Sequence, residues 1–112
     1  MATFYQQKQT VQYQYNVGAI NFSSVKTNDE FLRELKNLQS ELDKAIESRA
    51  IEGEAAIDAE SHVKKAILNA ESSAPNKKSL IEHLETAKNL VTNVDGLVVA
   101  IGTAIATIGS LF

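Results

Sequence analysis

Apolar side chains recur every three or four residues over most of this chain, which is the spacing of one face of an α-helix. Thr27 and Glu30 stand before the first such run and together form a capping-box pattern. The run itself contains Phe31, Leu35, Leu38, Leu42 and Ala45. This pattern predicts a first helix that ends near residues 49–53, where Gly53 can adopt the left-handed conformation of a helix cap.

The same spacing predicts two further helices. The second runs from Glu54 to about Ser72 and has a mostly alanine seam, and Pro75 then interrupts the helical pattern. The last apolar run keeps one register from Leu80 to Phe112, so a single long helix is predicted from about residue 77 to 112. The pair 95–96, Asp-Gly, is the one position in it where a kink or break is expected.

The first 26 residues follow a different pattern. Val11, Tyr13 and Tyr15 alternate with glutamines, an Asn-Val-Gly turn follows, and alternation resumes over residues 19–25. A period of two with aromatic and β-branched residues predicts a β-hairpin or strand. The expected fold is therefore mainly α, with one domain in two parts: a β-like segment (1–26), then a three-helix antiparallel bundle with a long apolar C-terminal helix (27–112).

Composition narrows the possible functions. The chain has 112 residues, a net charge of −3 and no cysteine. An acidic balance weighs against a nucleic-acid partner, and the lack of cysteine removes disulfides, thiolate metal sites and a cysteine nucleophile. The first ten residues lack the apolar core of a secretory signal, so a cytoplasmic location is expected. No phosphate-binding loop or nucleophile motif is present, so an enzyme is not expected.

One helical stripe could in principle hold a metal ion. Glu54, Asp58 and His62 are spaced four residues apart and share a face of the second predicted helix. The Glu-x-x-His spacing of bundle di-metal sites is missing, and the sequence offers no second pair to face this one. We interpret the stripe as solvated surface, and no metal or cofactor is expected.

Two apolar segments are candidates for contacts between molecules. Residues 96–112 carry no charge and include several small residues, but they would span only about 26 Å against a hydrocarbon core of ~30 Å. A helix buried in the bundle or against a second subunit is favoured over membrane insertion. The N-terminal segment either covers the helices or pairs between copies. The predicted interaction residues are Val11, Tyr13, Tyr15, Val17, Ile20, Phe22, Val91, Val94, Val98, Ile101, Ile105, Ile108 and Phe112.

The chain also resembles a known group of domains. Gln14, Asn16, Gly18 and Asn21, followed by the helical run with "AIDAE" at residues 56–60, resemble small helical domains of cyanobacterial and other bacterial conflict (defence) systems. The resemblance implies an adaptor or oligomerisation module whose protein partners carry the enzymatic activity. The function expected is a non-catalytic, homo-oligomeric interaction module. The alternative is a small membrane-acting effector that inserts residues 96–112.

Overall fold

Four α-helices make up most of residues 20–112, the part of the chain that the computed structural model describes. They are α1 (Asn28–Glu47), α2 (Gly53–Glu71), α3 (Lys77–Leu90) and α4 (Asp95–Leu111), and a 3-10 turn at Phe22–Ser24 precedes them. The prediction of a mainly α domain is confirmed. The structure has four helices where the sequence pattern predicted three.

The helices pack in a ring in which each one contacts two others. α1 packs against α2 and α4, and α3 packs against the same two helices. This order places α2 and α4 at diagonally opposite corners of the bundle. Three of the four contacts join helices that follow one another in the chain, as expected for connections of four or five residues.

A capping box starts α1, as the sequence predicted. The Thr27 hydroxyl accepts a hydrogen bond from the Glu30 backbone N–H at 3.1 Å. The Glu30 carboxylate accepts in return from the backbone N–H groups of Lys26, at 2.8 Å, and of Thr27, at 3.2 Å. The hydrogen bond from Lys26 is the largest of the influences that lower the pKa of Glu30. The box satisfies backbone donors that a helix start otherwise leaves without partners.

The end of α1 differs from the prediction. α1 ends at Glu47, and Arg49 rather than Gly53 takes the left-handed conformation that closes it, with φ of 66°. The Ala50 N–H donates to the carbonyl of Ala45 at 2.9 Å and the Arg49 N–H to that of Ile46 at 3.0 Å, which is the Schellman pattern. Gly53 also has a positive φ, of 68°, but it is the first residue of α2.

The prediction of one long C-terminal helix from the last apolar run is wrong. α3 ends at Leu90 and α4 begins at Asp95, so the break comes just before the Asp-Gly pair that the sequence suggested. The connection 91–94 places Val91 and Val94 in the core, and the Asn93 side-chain amide donates to the carbonyl of Ala50 at 3.3 Å. The turn lets α4 fold back onto α1 and α3. Among the helices of residues 20–112, none combines the length and the apolar composition needed to cross a membrane.

The predicted β-hairpin lies mostly outside the described residues. Within residues 20–25, which were predicted as its second strand, the chain instead forms the 3-10 turn, so this part of the prediction is wrong. The Ser23 hydroxyl donates to the Asn21 side chain at 2.6 Å and the Ser24 hydroxyl to the Asn21 carbonyl at 3.2 Å. Such local side-chain hydrogen bonds compete with a strand ladder and favour turns.

The core is a single cluster that all four helices share. α1, α3 and α4 contribute mostly large side chains, whereas α2 contributes three alanines together with Val63 and Ile67. Because alanine side chains extend only a short distance from the helix, α1 and α3 can approach that face of α2 closely. The largest fully buried side chains are Phe31, Leu35, Leu38, Leu42, Val63, Leu80, Leu84, Val91, Leu97, Ile101 and Ile108.

Candidate functional site

The structure places the predicted C-terminal interaction residues largely inside the domain's own core. The buried members of the predicted set are Phe22, Val91, Val94, Ile101 and Ile108, and the half-buried members that pack against the core are Ile20, Val98, Ile105 and Phe112. Val11, Tyr13, Tyr15 and Val17 lie outside the described residues. The apolar face of α4 therefore contacts α1 and α3 of the same chain, and α4 would have to leave the domain to insert into a bilayer.

The outward face of α2 carries two of the three large apolar side chains that are exposed within residues 20–112. Ile57 is 68% exposed and Leu68 is 61% exposed. They are eleven residues apart, which is close to three helical turns, so they lie on one face about 16 Å apart along the helix axis. Ser61 and Lys64 lie between them on the same face. We call Ile57, Ser61, Lys64 and Leu68 the α2 stripe.

Charges flank the α2 stripe in an ordered way. Asp58 and Glu60 lie in the N-terminal half of the helix, and Lys64 and Lys65 lie one to two turns further on. Helical geometry puts Asp58 and Lys65 along one flank, and Glu60 and Lys64 toward the other. Within the described residues, none of these four side chains forms an ion pair; the ion pairs there join Lys36 to Glu71 and Lys44 to Glu41. Beside the stripe, the acidic pair thus lies toward the N-terminal end and the lysines lie beyond it, and Glu71, one turn past Leu68, is paired with Lys36.

A third large apolar side chain, Val99 on α4, is 67% exposed. α4 lies diagonally opposite α2 in the bundle, so Val99 belongs to a different surface. A single exposed valine is ordinary for a folded protein. Two large side chains on one helix face, three turns apart, are a more specific arrangement.

A second feature joins α2 to α3. The Nδ1 atoms of His62 and His83 lie 3.0 Å apart, and both side chains are half-buried. The ring centroids are 5.2 Å apart and the ring planes are inclined by 38°. At this distance the two nitrogens share one hydrogen bond, in which one ring donates and the other accepts. Burial is the main cause that lowers the pKa of His83, and the nearby His62 and Lys65 lower it further, while Glu82 opposes them.

The spacing of Glu54, Asp58 and His62 predicted a solvated position for His62 and gave no indication that His83 is its neighbour. The pair could have been predicted from the positions of the two histidines relative to the loop between α2 and α3. The two histidines lie at similar distances before and after that loop, and antiparallel helices bring such positions together. Glu54 and Asp58 do not complete a metal cluster with them, since across residues 20–112 no three His, Cys, Asp or Glu side chains converge.

The described residues define an all-α, four-helix domain with one uncovered apolar helix face and one interhelical histidine pair. Comparisons of the chain with protein-family models, with curated proteins and with solved structures give no match.

Proposed function

We propose that this chain is a non-catalytic interaction module that self-associates, and that two copies pair through the α2 stripe. The observation that carries the proposal is the exposure of Ile57 and Leu68 on one face of α2, between two flanks that each carry one acidic and one basic side chain. Covering these side chains removes apolar surface from water, which is the general driving force for protein association. The occupant that matches this face is the same face of a second copy.

The pairing is antiparallel and two-fold symmetric. Ile57 of each copy packs against Leu68 of the other, so one two-fold operation produces two identical contacts and covers all four apolar side chains. Asp58 then approaches Lys65 of the second copy along one flank, and Glu60 approaches Lys64 along the other. All three pairs are centred near residue 62, so one register satisfies them together. A parallel pairing would set acid against acid and base against base, and this selects the antiparallel arrangement.

The contact area sets the expected strength. One helix face with two large apolar side chains per copy falls at the small end of specific interfaces, below roughly 1,200 Å² in total. We therefore expect a weak dimer whose population depends on protein concentration. Such a dimer suits a module that assembles when many copies are brought together. The resemblance to defence-system domains supports a cytoplasmic adaptor role of this kind, with a protein partner that carries the enzymatic activity.

The first test measures mass by light scattering across a concentration series of the full chain. The double variant Ile57→Asp, Leu68→Asp should remain monomeric at concentrations where the wild type approaches twice the monomer mass. Val99→Asp is the matched control, because it places the same charge at an equally exposed apolar site on the opposite helix. A wild-type chain that stays monomeric at its highest soluble concentration, or a double variant that still dimerises, would overturn the proposal.

A charge exchange tests the orientation. Lys64→Glu with Lys65→Glu should weaken the dimer, since every interchain charge pair becomes acid against acid. Adding Asp58→Lys and Glu60→Lys reverses all four positions and should restore dimerisation, with circular dichroism confirming equal helix content. If the fourfold variant stays as weak as the twofold one, the antiparallel register is wrong.

A further inference from the structure

We propose that His62 and His83 form a two-histidine site for a divalent transition-metal ion that bridges α2 and α3. The site is separate from the self-association surface, because it joins two helices of one chain through a side chain of α2 and a side chain of α3 that face each other. Imidazole is the side chain that most often binds such ions. Both rings present the same atom, Nδ1, to one point between the helices.

The distance between the nitrogens selects the coordination geometry. Metal–imidazole bonds are about 2.0–2.1 Å long, so two nitrogens 3.0 Å apart subtend roughly a right angle at a shared ion. A right angle fits adjacent positions of a square-planar or octahedral ion, whereas a tetrahedral ion needs the nitrogens about 3.3 Å apart. Cu²⁺ and Ni²⁺ match the geometry, and Cu²⁺ also leads the affinity order for nitrogen ligands. Zn²⁺ requires the rings to separate slightly.

Metal binding replaces the hydrogen bond between the two histidines and leaves the number of protons on the two rings unchanged. In the free protein one Nδ1 carries a proton, and this N–H donates a hydrogen bond to Nδ1 of the other ring. When a metal binds, that proton moves to Nε2 of the same ring, so both Nδ1 lone pairs face the ion and each imidazole stays neutral. Water fills the remaining coordination positions, since no third His, Cys, Asp or Glu joins the pair within residues 20–112.

The fold lowers the cost of ordering the ligands. His62 is followed by the core residue Val63, and His83 is followed by the core residue Leu84, so both backbones are held by buried neighbours. The two nitrogens are already within hydrogen-bond distance, and little further ordering is needed to bind an ion. The charges beside His83 come from Lys65 on α2 and Glu82 on α3, and they oppose each other. The bound ion then links α2 to α3.

Calorimetry and thermal unfolding of the full chain with CuCl₂ at pH 7.5 test the proposal. We expect one ion per chain, and a rise in Tm of about 5 °C or more when free metal exceeds Kd about tenfold. His62→Gln and His83→Gln should each weaken binding at least about tenfold, as expected when a ligand is removed, and should abolish the rise in Tm. MgCl₂ is the control ion and should have no effect.

Each outcome has a defined meaning. If Cu²⁺ raises the Tm of either glutamine variant as much as that of the wild type, the ion binds elsewhere and the proposal is wrong. If a variant fails to fold, paramagnetic broadening by Ni²⁺ in the wild-type NMR spectrum gives the answer instead. Broadening centred on residues around 62 and 83 supports the site, and broadening confined to other residues overturns it.

Acid gives an independent readout at the same pair. Protons compete with metal for the Nδ1 lone pairs, so binding should weaken as the pH falls. Binding that is unchanged at pH 4.5 would point to carboxylate ligands and contradict the proposal.

Discussion

Arg49 occupies the position after α1 where most helices that end this way have glycine. Its φ of 66° places the backbone of this L-residue in the left-handed region, which costs about 1–2 kcal/mol for most residues other than glycine. The two Schellman hydrogen bonds and the burial of Ile51, which is 3% exposed, offset this strain. The chain thus tolerates a local cost because the turn brings Ile51 into the core.

Arg49→Gly should therefore stabilise the domain. The expected gain in the free energy of unfolding is about 0.5–1 kcal/mol, because the relief of strain is partly offset by the greater freedom of glycine in the unfolded chain. Urea unfolding monitored by circular dichroism measures it. Arg33→Gly, at an exposed position inside α1, is the matched control and should lose about 1 kcal/mol. Equal losses at both sites would contradict the assigned conformation of Arg49.

At the scale of single residues, the sequence predicted some helix ends and not others. The capping box of Thr27 and Glu30 was predictable because both of its hydrogen bonds lie within four residues. The left-handed residue was not, because glycine was favoured there and the compensation for arginine comes from Ile51 in the core. The histidine pair depended on a contact between residues 21 positions apart, which single-helix spacing does not contain.

At the scale of elements, the sequence pattern overestimated the length of the last helix. Val91 and Val94 remain buried through the turn between α3 and α4, so the three-to-four spacing continues although the helix does not. Apolar periodicity reports which side chains are buried and is insensitive to a turn that keeps them buried. The bend itself depends on the packing of α4 against α1, which is a contact between distant parts of the chain.

The glycines of α4 provide a prediction at this scale. A Cβ built at Gly102 or Gly109 meets no atom within 4 Å, so neither residue is needed for a close contact within the described chain. Gly102→Ala and Gly109→Ala should each raise the free energy of unfolding by about 0.5–1 kcal/mol, because alanine restricts the unfolded chain and favours helix.

Gly53→Ala is the control for these two changes. Space is also free at Gly53, but its φ of 68° is unfavourable for alanine, so stability should fall. Thermal unfolding of the three single variants compares them directly. A loss of stability in Gly102→Ala or Gly109→Ala would indicate that the glycine contacts another molecule closely, as the small-residue spacing of this segment first suggested.

At the scale of the whole molecule, three aromatic rings join the beginning of the described chain to its end. The Phe22 ring lies 5.5 Å from that of Phe31, which in turn lies 5.6 Å from that of Phe112. The Thr107 hydroxyl donates to the carbonyl of Thr103 at 2.8 Å and shares this hydrogen bond with the carbonyl of Phe22 at 3.3 Å. These contacts close the bundle at the side where α1 and α4 meet.

Phe22→Ala should lower the free energy of unfolding by about 3–5 kcal/mol, since the ring is 2% exposed and its removal leaves a cavity. Phe22→Leu keeps most of the volume and should cost less than about 1.5 kcal/mol. Urea unfolding curves of both variants test the difference. A small effect of the alanine variant would mean that residues 20–24 contribute little to the core.

The packing of the four helices against one another also determines which apolar helix face remains exposed for contacts with other molecules. The sequence pattern predicted that the apolar face of α4 is buried, in the bundle or against a second subunit, but did not specify that α1 and α3 of the same chain cover it. The exposure of Ile57 follows from the diagonal placement of α2 and α4. Which face is left uncovered depends on the arrangement of all four helices, and a single sequence contains no direct record of it.

The ring order of the helices has a consequence for how the domain folds. Most contacts join consecutive helices, which are connected by short loops. The contacting residues are therefore close in sequence, and relative contact order is low. Domains of this kind fold in roughly microseconds to milliseconds. The contact of α1 with α4 is the exception, because about fifty residues separate these helices. We expect a transition state in which α2 and α3 are already paired and the aromatic contacts of Phe22 and Phe112 are not, so that substitutions at Phe22 accelerate unfolding and leave the folding rate nearly unchanged.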